Sequence, residues 1–300
     1  MSNQVVNDEK EMTFGEHLEE LRKILMRVVI IFVILFVVMF AVSNIWLKIL
    51  MGPQNADFPT YQFLAWMGDV LGSEALKISP DNFELINTRM AGQFMLDMKC
   101  AFIGSLIVAL PYLLFELWLF IKPAIPPHLR RKCMRYTIET PVWFMGGLLF
   151  GYFAIVPLTI NFLTHYSVDA PIANMITPDS LISTVMGVSM AGGITFLLPM
   201  FIRLIATMGL VTADTMRKYR RHAAVILLIF AAIITPPDVF SQILIFVPCF
   251  VMYELGIRIA ARIDAQRAKE LANAYAATPS AAVAEDDDEV EDRETVRYDD

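Results

Sequence analysis

Few residues in this chain could do chemistry, and most of those that could are single acids and bases set in or beside long apolar stretches. Glu116 lies in Pro111-Tyr-Leu-Leu-Phe-Glu116-Leu-Trp118-Leu-Phe120-Ile121-Lys122-Pro123, about 9 Å of helix short of Lys122. An ionisable group inside an apolar helix marks function, or else it snorkels to the nearby surface. Both readings stand for Glu116, and Trp118 fits an interfacial anchor. Glu254 precedes Arg258 by four residues, the spacing of a simple helical ion pair. Arg203 and Glu116 lie at matching depths, about 9 Å from the ends of their apolar blocks, so either they pair or Arg203 snorkels alone.

The N-terminal segment carries Thr13-Phe14-Gly15-Glu16-His17-Leu18-Glu19-Glu20-Leu21-Arg22. Thr13 and Glu16 have capping-box spacing, and Phe14, Leu18, Leu21 and Leu25 form one apolar stripe. Glu16 and Glu19 either complement the first-turn dipole or join a cation site. Glu20 lies beyond the first turn and suits the binding of a cation at a membrane surface.

Enzyme signatures are missing. His17-Leu-Glu-Glu-Leu21 is not HExxH, and Gly187-Val-Ser189-Met-Ala191 lacks the final glycine of GxSxG. No phosphate-binding glycine loop occurs. The histidines stand at no ligand spacing, and Cys100, Cys133 and Cys249 lie in different segments. The chain is read as a non-enzyme with no catalytic residue, metal or cofactor.

The elements that hold these residues come from hydrophobicity. The chain is 56% apolar, with a mean hydropathy of +0.54. Six apolar blocks stand at 24–46, 98–121, 138–164, 181–209, 222–235 and 239–257. Each except the fifth approaches or exceeds the roughly 20 residues that a spanning helix needs. The first block is too long for a signal peptide, and acids precede it. The fifth, His222 to Thr235, is short, and Thr235-Pro236-Pro237-Asp238 ends it, because two prolines cannot continue a helix. Phe63, Met67, Val70 and Leu71 predict a short amphipathic helix within the loop 47–97. Gly146-Gly147 and Gly192-Gly193 predict close helix packing.

Charge sets the orientation. Lys10, Arg22, Lys23 and Arg27 precede or open the first block. Lys122, Arg130, Arg131, Lys132 and Arg135 fill the second connection, and Arg217, Lys218, Arg220 and Arg221 the fourth. The third connection, about 165–180, and the fifth have none. The positive-inside rule then predicts an all-α polytopic membrane protein with six transmembrane helices and both termini cytoplasmic. Residues 1–23 form a cytoplasmic amphipathic segment, 24–257 the membrane domain and 258–300 a cytoplasmic tail, disordered from about 275. Ten acids and two arginines in 285–300 give −8 of the net −7, leaving the rest at +1. Such a tail has too little apolar surface to fold alone.

These residues resemble a known family. Glu16-His17-Leu18-Glu19-Glu20-Leu21-Arg22, Pro111…Trp118-Leu-Phe120-Ile121-Lys122-Pro123, Phe150-Gly151-Tyr152…Pro157, Arg217-Lys218-Tyr219, Thr235-Pro236-Pro237-Asp238-Val-Phe240-Ser241-Gln242 and Tyr253-Glu254-Leu-Gly256 are similar to TatC. TatC is the signal-peptide receptor subunit of the twin-arginine protein translocase, and the likeness spans about 13–260. It implies a bacterial inner-membrane receptor for twin-arginine signal peptides of folded cargo. Such a receptor recruits TatA- and TatB-like single-span subunits, forms a homo-oligomer among lipids, draws on the proton gradient and binds no nucleic acid. By the same resemblance Glu20, Arg22 and Phe120 belong to the signal-peptide site. Leu129 stands where the family has a loop glutamate, so Glu16 or Glu19 would share the load. Pro53, Asp238 and Gln242 match turn or external positions that matter in the family, and Pro236 and Pro237 the turn itself. Glu254 matches the acid of span six, Leu197 replaces the family's span-four acid, and Glu116 replaces a glutamine. From the residues alone, a proton-coupled secondary transporter using Glu116, Arg203 and Glu254 stays open. It requires those groups to converge on one midplane cavity.

Overall fold

The computed structural model describes residues 14–74, 78, 85–121, 127–166, 175–234 and 239–277, which form helices and connections with no strand among them. An apolar backbone in lipid must satisfy its own hydrogen bonds, and a helix does so within one segment. In chain order α1 is Phe14–Ala41, α2 Ser43–Leu50, α3 Pro59–Leu71, α4 Gly92–Ile121 and α5 Pro127–Phe150. A single π turn, Gly151–Ile155, carries α5 into α6, Val156–His165. Next come α7 (Pro178–Thr207), α8 (Ala213–Lys218), α9 (Arg220–Ile234) and α10 (Val239–Ala277).

Five of these helices are long and apolar enough to cross a membrane: Leu18–Ala41, Gly92–Ile121, Ile138–His165, Pro178–Thr207 and Val239–Asn273. The fifth sequence block appears as α9, whose 15 residues make about 22 Å of helix. That is the short element the sequence predicts, below the length of an ordinary span. The short helix predicted within the loop 47–97 is α3, started by Pro59 and ended at Gly72, whose φ of 66° places it in the left-handed region.

The centre is α7. Its apolar stretch is 61% buried, against 6% for α1, so α7 is walled by neighbours while α1 attaches at the rim. Leu25, Val29, Val33 and Val37 of α1 stay exposed, which lipid tolerates and water does not. Glycine explains how close α5 comes to α7. A Cβ on Gly192 would lie 2.5 Å from the Gly147 carbonyl oxygen, and one on Gly147 would overlap the Gly192 carbonyl. Gly193 meets the ring of Phe144, whereas Gly146 has nothing within 4 Å and points outward. Of the predicted glycine pairs, three members pack and Gly146 does not. The π turn continues the same seam, where Gly151 sits against Ser189.

The segment after α2 packs against α3 and the start of α6. The Tyr61 hydroxyl lies 3.0 Å from the Pro53 carbonyl and 3.2 Å from that of Pro157, sharing one hydrogen between them. Burial pushes the Tyr61 phenol well up, which keeps that hydrogen in place. Pro53 is buried in the short helical turn Gly52–Gln54, consistent with a structural turn role.

The last helix departs from its apolar block. α10 continues to Ala277, about 20 residues past the predicted end at 257. Its extension is held by side chains that hydrophobicity does not reveal. Asp264 Oδ2 accepts the Ala213 N–H at 2.8 Å, and Arg267 Nη2 donates to the Thr207 carbonyl at 3.2 Å. One acid thus caps the start of α8 and one base the end of α7. The acidic stretch 285–300 lies outside the described residues.

Candidate functional site

Among the described residues, ion pairs join four different pairs of helices, one of them Lys99 Nζ of α4 to Asp179 Oδ1 of α7 at 2.7 Å. α1 and α4 run antiparallel, since Arg27 meets Glu116 while Phe32 meets Phe102. Arg27 Nη2 lies 3.2 Å from Glu116 Oε2, and the Tyr112 hydroxyl donates to Glu116 Oε1 at 2.5 Å. Glu116 is 2% exposed. Arg203 Nη1 of α7 lies 2.5 Å from Glu139 Oε2 of α5, and its guanidinium stacks 4.0 Å from the Tyr136 ring centre. Arg220 of α9 grips Glu254 of α10, with Nη2 donating to Oε2 at 2.9 Å and Nε 2.7 Å from Oε1. One hydrogen bond and one ion-pair contact thus join the two groups, and Oε1 receives no hydrogen bond. The Glu116 and Arg203 pairs stand near the membrane end that carries the start of α1 and the ends of α4 and α7, and Arg220 opens α9 at the end of the chain's return from α7.

Two expected pairings are corrected. Glu116 and Arg203 do not pair with each other, and the reason is rotational. Two residues turn a helix by about 200°, so Glu116 and Trp118 face opposite ways. α4 presents Glu116 to α1, and it presents Trp118 to Tyr136 of α5 and the Met200 region of α7. Trp118 is therefore buried packing, 8% exposed, and not an interfacial anchor. Glu254 likewise pairs with Arg220 across the helices, while Arg258 stays exposed.

The remaining predicted residues are spread over several helices. Glu19 is exposed and pairs with Lys23 at 3.0 Å, one turn along the same helix. Glu20 is half-buried and Arg22 exposed, both in the first turns of α1. Phe120 is half-buried, one turn beyond Glu116 on α4. Glu20 precedes Arg27 by two helical turns, about 10 Å, and Phe120 comes after Glu116 by about 6 Å. The antiparallel register therefore puts Glu20 and Phe120 at one end of the α1–α4 pair. Gln242 Nε2 donates to the Leu228 carbonyl at 3.2 Å and ties α10 to α9. Thr13, Pro236, Pro237 and Asp238 lie outside the described residues, as do the side chains of Glu16 and Leu129.

Sequence reasoning missed Glu139 and the partners of each pair. Glu139 was visible as a charge one residue inside the third apolar block, and Arg27 as a base inside the first. Among the described residues no group of three or more His, Cys, Asp or Glu could hold a metal ion.

A helical bundle with apolar outer faces, glycine-packed at its centre, defines a multi-pass membrane protein. The family model described as "Sec-independent protein translocase protein (TatC)" matches residues 16–248. The chain belongs to the TatC family, and so is a component of a Sec-independent protein translocase. It is 34% identical over 257 residues to the TatC protein of Blattabacterium sp. subsp. Periplaneta americana, covering 85% of this chain and 97% of that protein. It is 31% identical over 243 residues to TatC of Escherichia coli strain K12, covering 80% of this chain and 85% of that protein. A crystal structure of the twin-arginine translocase receptor TatC matches with a TM-score of 0.67 at 28% identity, covering 83% of this chain and 100% of that one.

Proposed function

We propose that this protein is the signal-peptide receptor of a twin-arginine translocase in the bacterial inner membrane. α9 completes six spans, both termini are cytoplasmic, and TatA- and TatB-like subunits and further copies of the chain assemble around it. The observation that carries this reading is the α1–α4 face. Half-buried Glu20 and Phe120 stand at one end of it, beside basic residues and an exposed Arg22. A carboxylate there offers a cargo guanidinium two parallel hydrogen bonds, and an aromatic ring offers it a face. Family membership and the receptor likeness support the same reading.

The transporter alternative needs its charged groups to converge. Glu116, Arg203 and Glu254 each have a different partner on a different helix pair, so that reading loses its support.

Glu20→Ala is expected to weaken binding of a twin-arginine peptide by about tenfold, the worth of one charge-assisted contact. Leu129→Ala should change affinity far less. Peptide titration against protein in lipid nanodiscs measures both, and unchanged affinity for Glu20→Ala would refute the assignment. Orientation has its own check. In a cysteine-free background, Trp66→Cys on exposed α3 should react with an impermeant maleimide in intact cells, and Glu270→Cys on the α10 extension only after lysis. The reverse pattern would remove the topology.

A further inference from the structure

Among the described residues, Glu116 is the buried acid with the least exposed side chain that still leaves an oxygen without a hydrogen bond. It is 2% exposed, yet its Oε2 atom receives no hydrogen bond. Arg27 stands within ion-pair distance of that oxygen at 3.2 Å but aims no N–H along it. Tyr112 satisfies only Oε1. Arg27 itself is 55% exposed along its side chain, so it covers the acid from the outside without being buried by it. A buried carboxylate normally holds a full set of donors. This one has charge compensation and one oxygen open to a donor.

We propose that Glu116 is a second guanidinium-binding carboxylate of the receptor site, and that Arg27 is an internal surrogate which a cargo arginine displaces. The proposal rests on the signal-peptide reading above and adds a residue and a regulatory contact to it. Glu20 and Arg27 lie on one stripe of α1, seven residues apart, with buried Ile24 between them. Neighbouring arginines in an extended peptide start about 3.8 Å apart and point to opposite sides. Two long side chains diverging in this way reach carboxylates separated by two helical turns, one at Glu20 and one at Glu116.

The surroundings fit the apolar segment that a signal peptide carries after its basic residues. An apolar groove of about 240 Å³ begins next to the ion pair, walled by Val28, Val29 and Phe32 of α1 and Leu106, Leu110 and Leu113 of α4. Its walls start one residue past Arg27 and end three residues short of Glu116. A peptide that exchanges its arginine for Arg27 on Glu116 has its apolar stretch directed along this groove. Arg27, on a flexible stem, is then released toward the surface, where it is already half exposed.

Full-length protein in phosphatidylcholine nanodiscs, titrated with twin-arginine and twin-lysine peptides, tests this. Arg27→Gln removes the surrogate and should tighten twin-arginine binding by about tenfold, with a smaller gain for twin-lysine, because only a guanidinium replaces a guanidinium. Adding Glu116→Gln should abolish the gain and leave binding weaker than wild type. An Arg27→Gln protein with unchanged or weaker twin-arginine affinity would overturn the proposal. If Arg27→Gln alone does not fold, the double variant, which buries no charge, decides: affinity equal to wild type overturns the role of Glu116, and weaker affinity supports it. Wild-type protein that binds both peptides equally would sink the receptor reading itself. Wild type that prefers twin-arginine, with variants that change nothing, would sink only the role of Glu116 and Arg27.

Discussion

Gly192→Val should leave little folded protein. The Cβ of residue 192 would stand 2.5 Å from the Gly147 carbonyl oxygen and 3.0 Å from the Gly151 Cα. These are backbone atoms of α5 and its π turn, so no side chain can rotate away. α7 must then separate from α5 along this seam, or adopt a strained backbone. Overpacking of ordinary cores costs about 1–3 kcal/mol. A rigid backbone-to-backbone contact lies at or beyond the top of that range. The measurement is thermal unfolding in detergent, with Gly146→Val as its control. Gly146 has an open approach, so valine there should alter the melting temperature by little more than its helix propensity, a few tenths of a kcal/mol. An unchanged melting temperature for Gly192→Val would refute the α5–α7 packing. A collapse of both variants would show that the side of α5 carrying Gly146 is covered.

Glu139→Ala should produce the second largest loss. It strands the Arg203 guanidinium, which still stacks on the Tyr136 ring at 4.0 Å. An unpaired arginine at membrane depth costs about 2–3 kcal/mol by insertion scales. The Tyr136 ring returns about 0.5–1 kcal/mol of that. Both side chains are about a quarter exposed, 29% and 27%, so the loss falls toward the lower end. Arg203→Met in the Glu139→Ala background removes the stranded charge and should restore most of the stability, because breaking a pair costs more than replacing it whole. A double-mutant cycle of melting temperatures measures the coupling. Additive losses would mean that the two residues act independently and that their pairing contributes nothing to stability.

Much of this protein was legible in one dimension. Long apolar blocks became helices at α1, α4, α7 and α10 because a membrane leaves the backbone no other partner for its hydrogen bonds. The brevity of α9, the short helix α3 and the glycine seam were likewise predicted from local pattern. So was the family, because Glu16 to Arg22 and Thr235 to Gln242 are contiguous motifs read directly from residue order.

Partner choice was not legible. Depth along a helix can be counted from sequence, and the count set Glu116 and Arg203 at comparable levels. Direction around the helix axis depends on which neighbour each face meets. A change of two residues, from Glu116 to Trp118, turns the side chain by about 200° and exchanges α1 for α5 and α7 as its surroundings. Glu254 met Arg220 for the same reason, because α9 folds back along α10 and brings a base closer than the one four residues away. The extension of α10 to Ala277 was set by Asp264 and Arg267 gripping the ends of two other helices. Hydrophobic pattern is a property of each segment alone, so the sequence determined the elements. Ion pairs and caps join atoms far apart in the chain, and only the packed arrangement of the helices decided those.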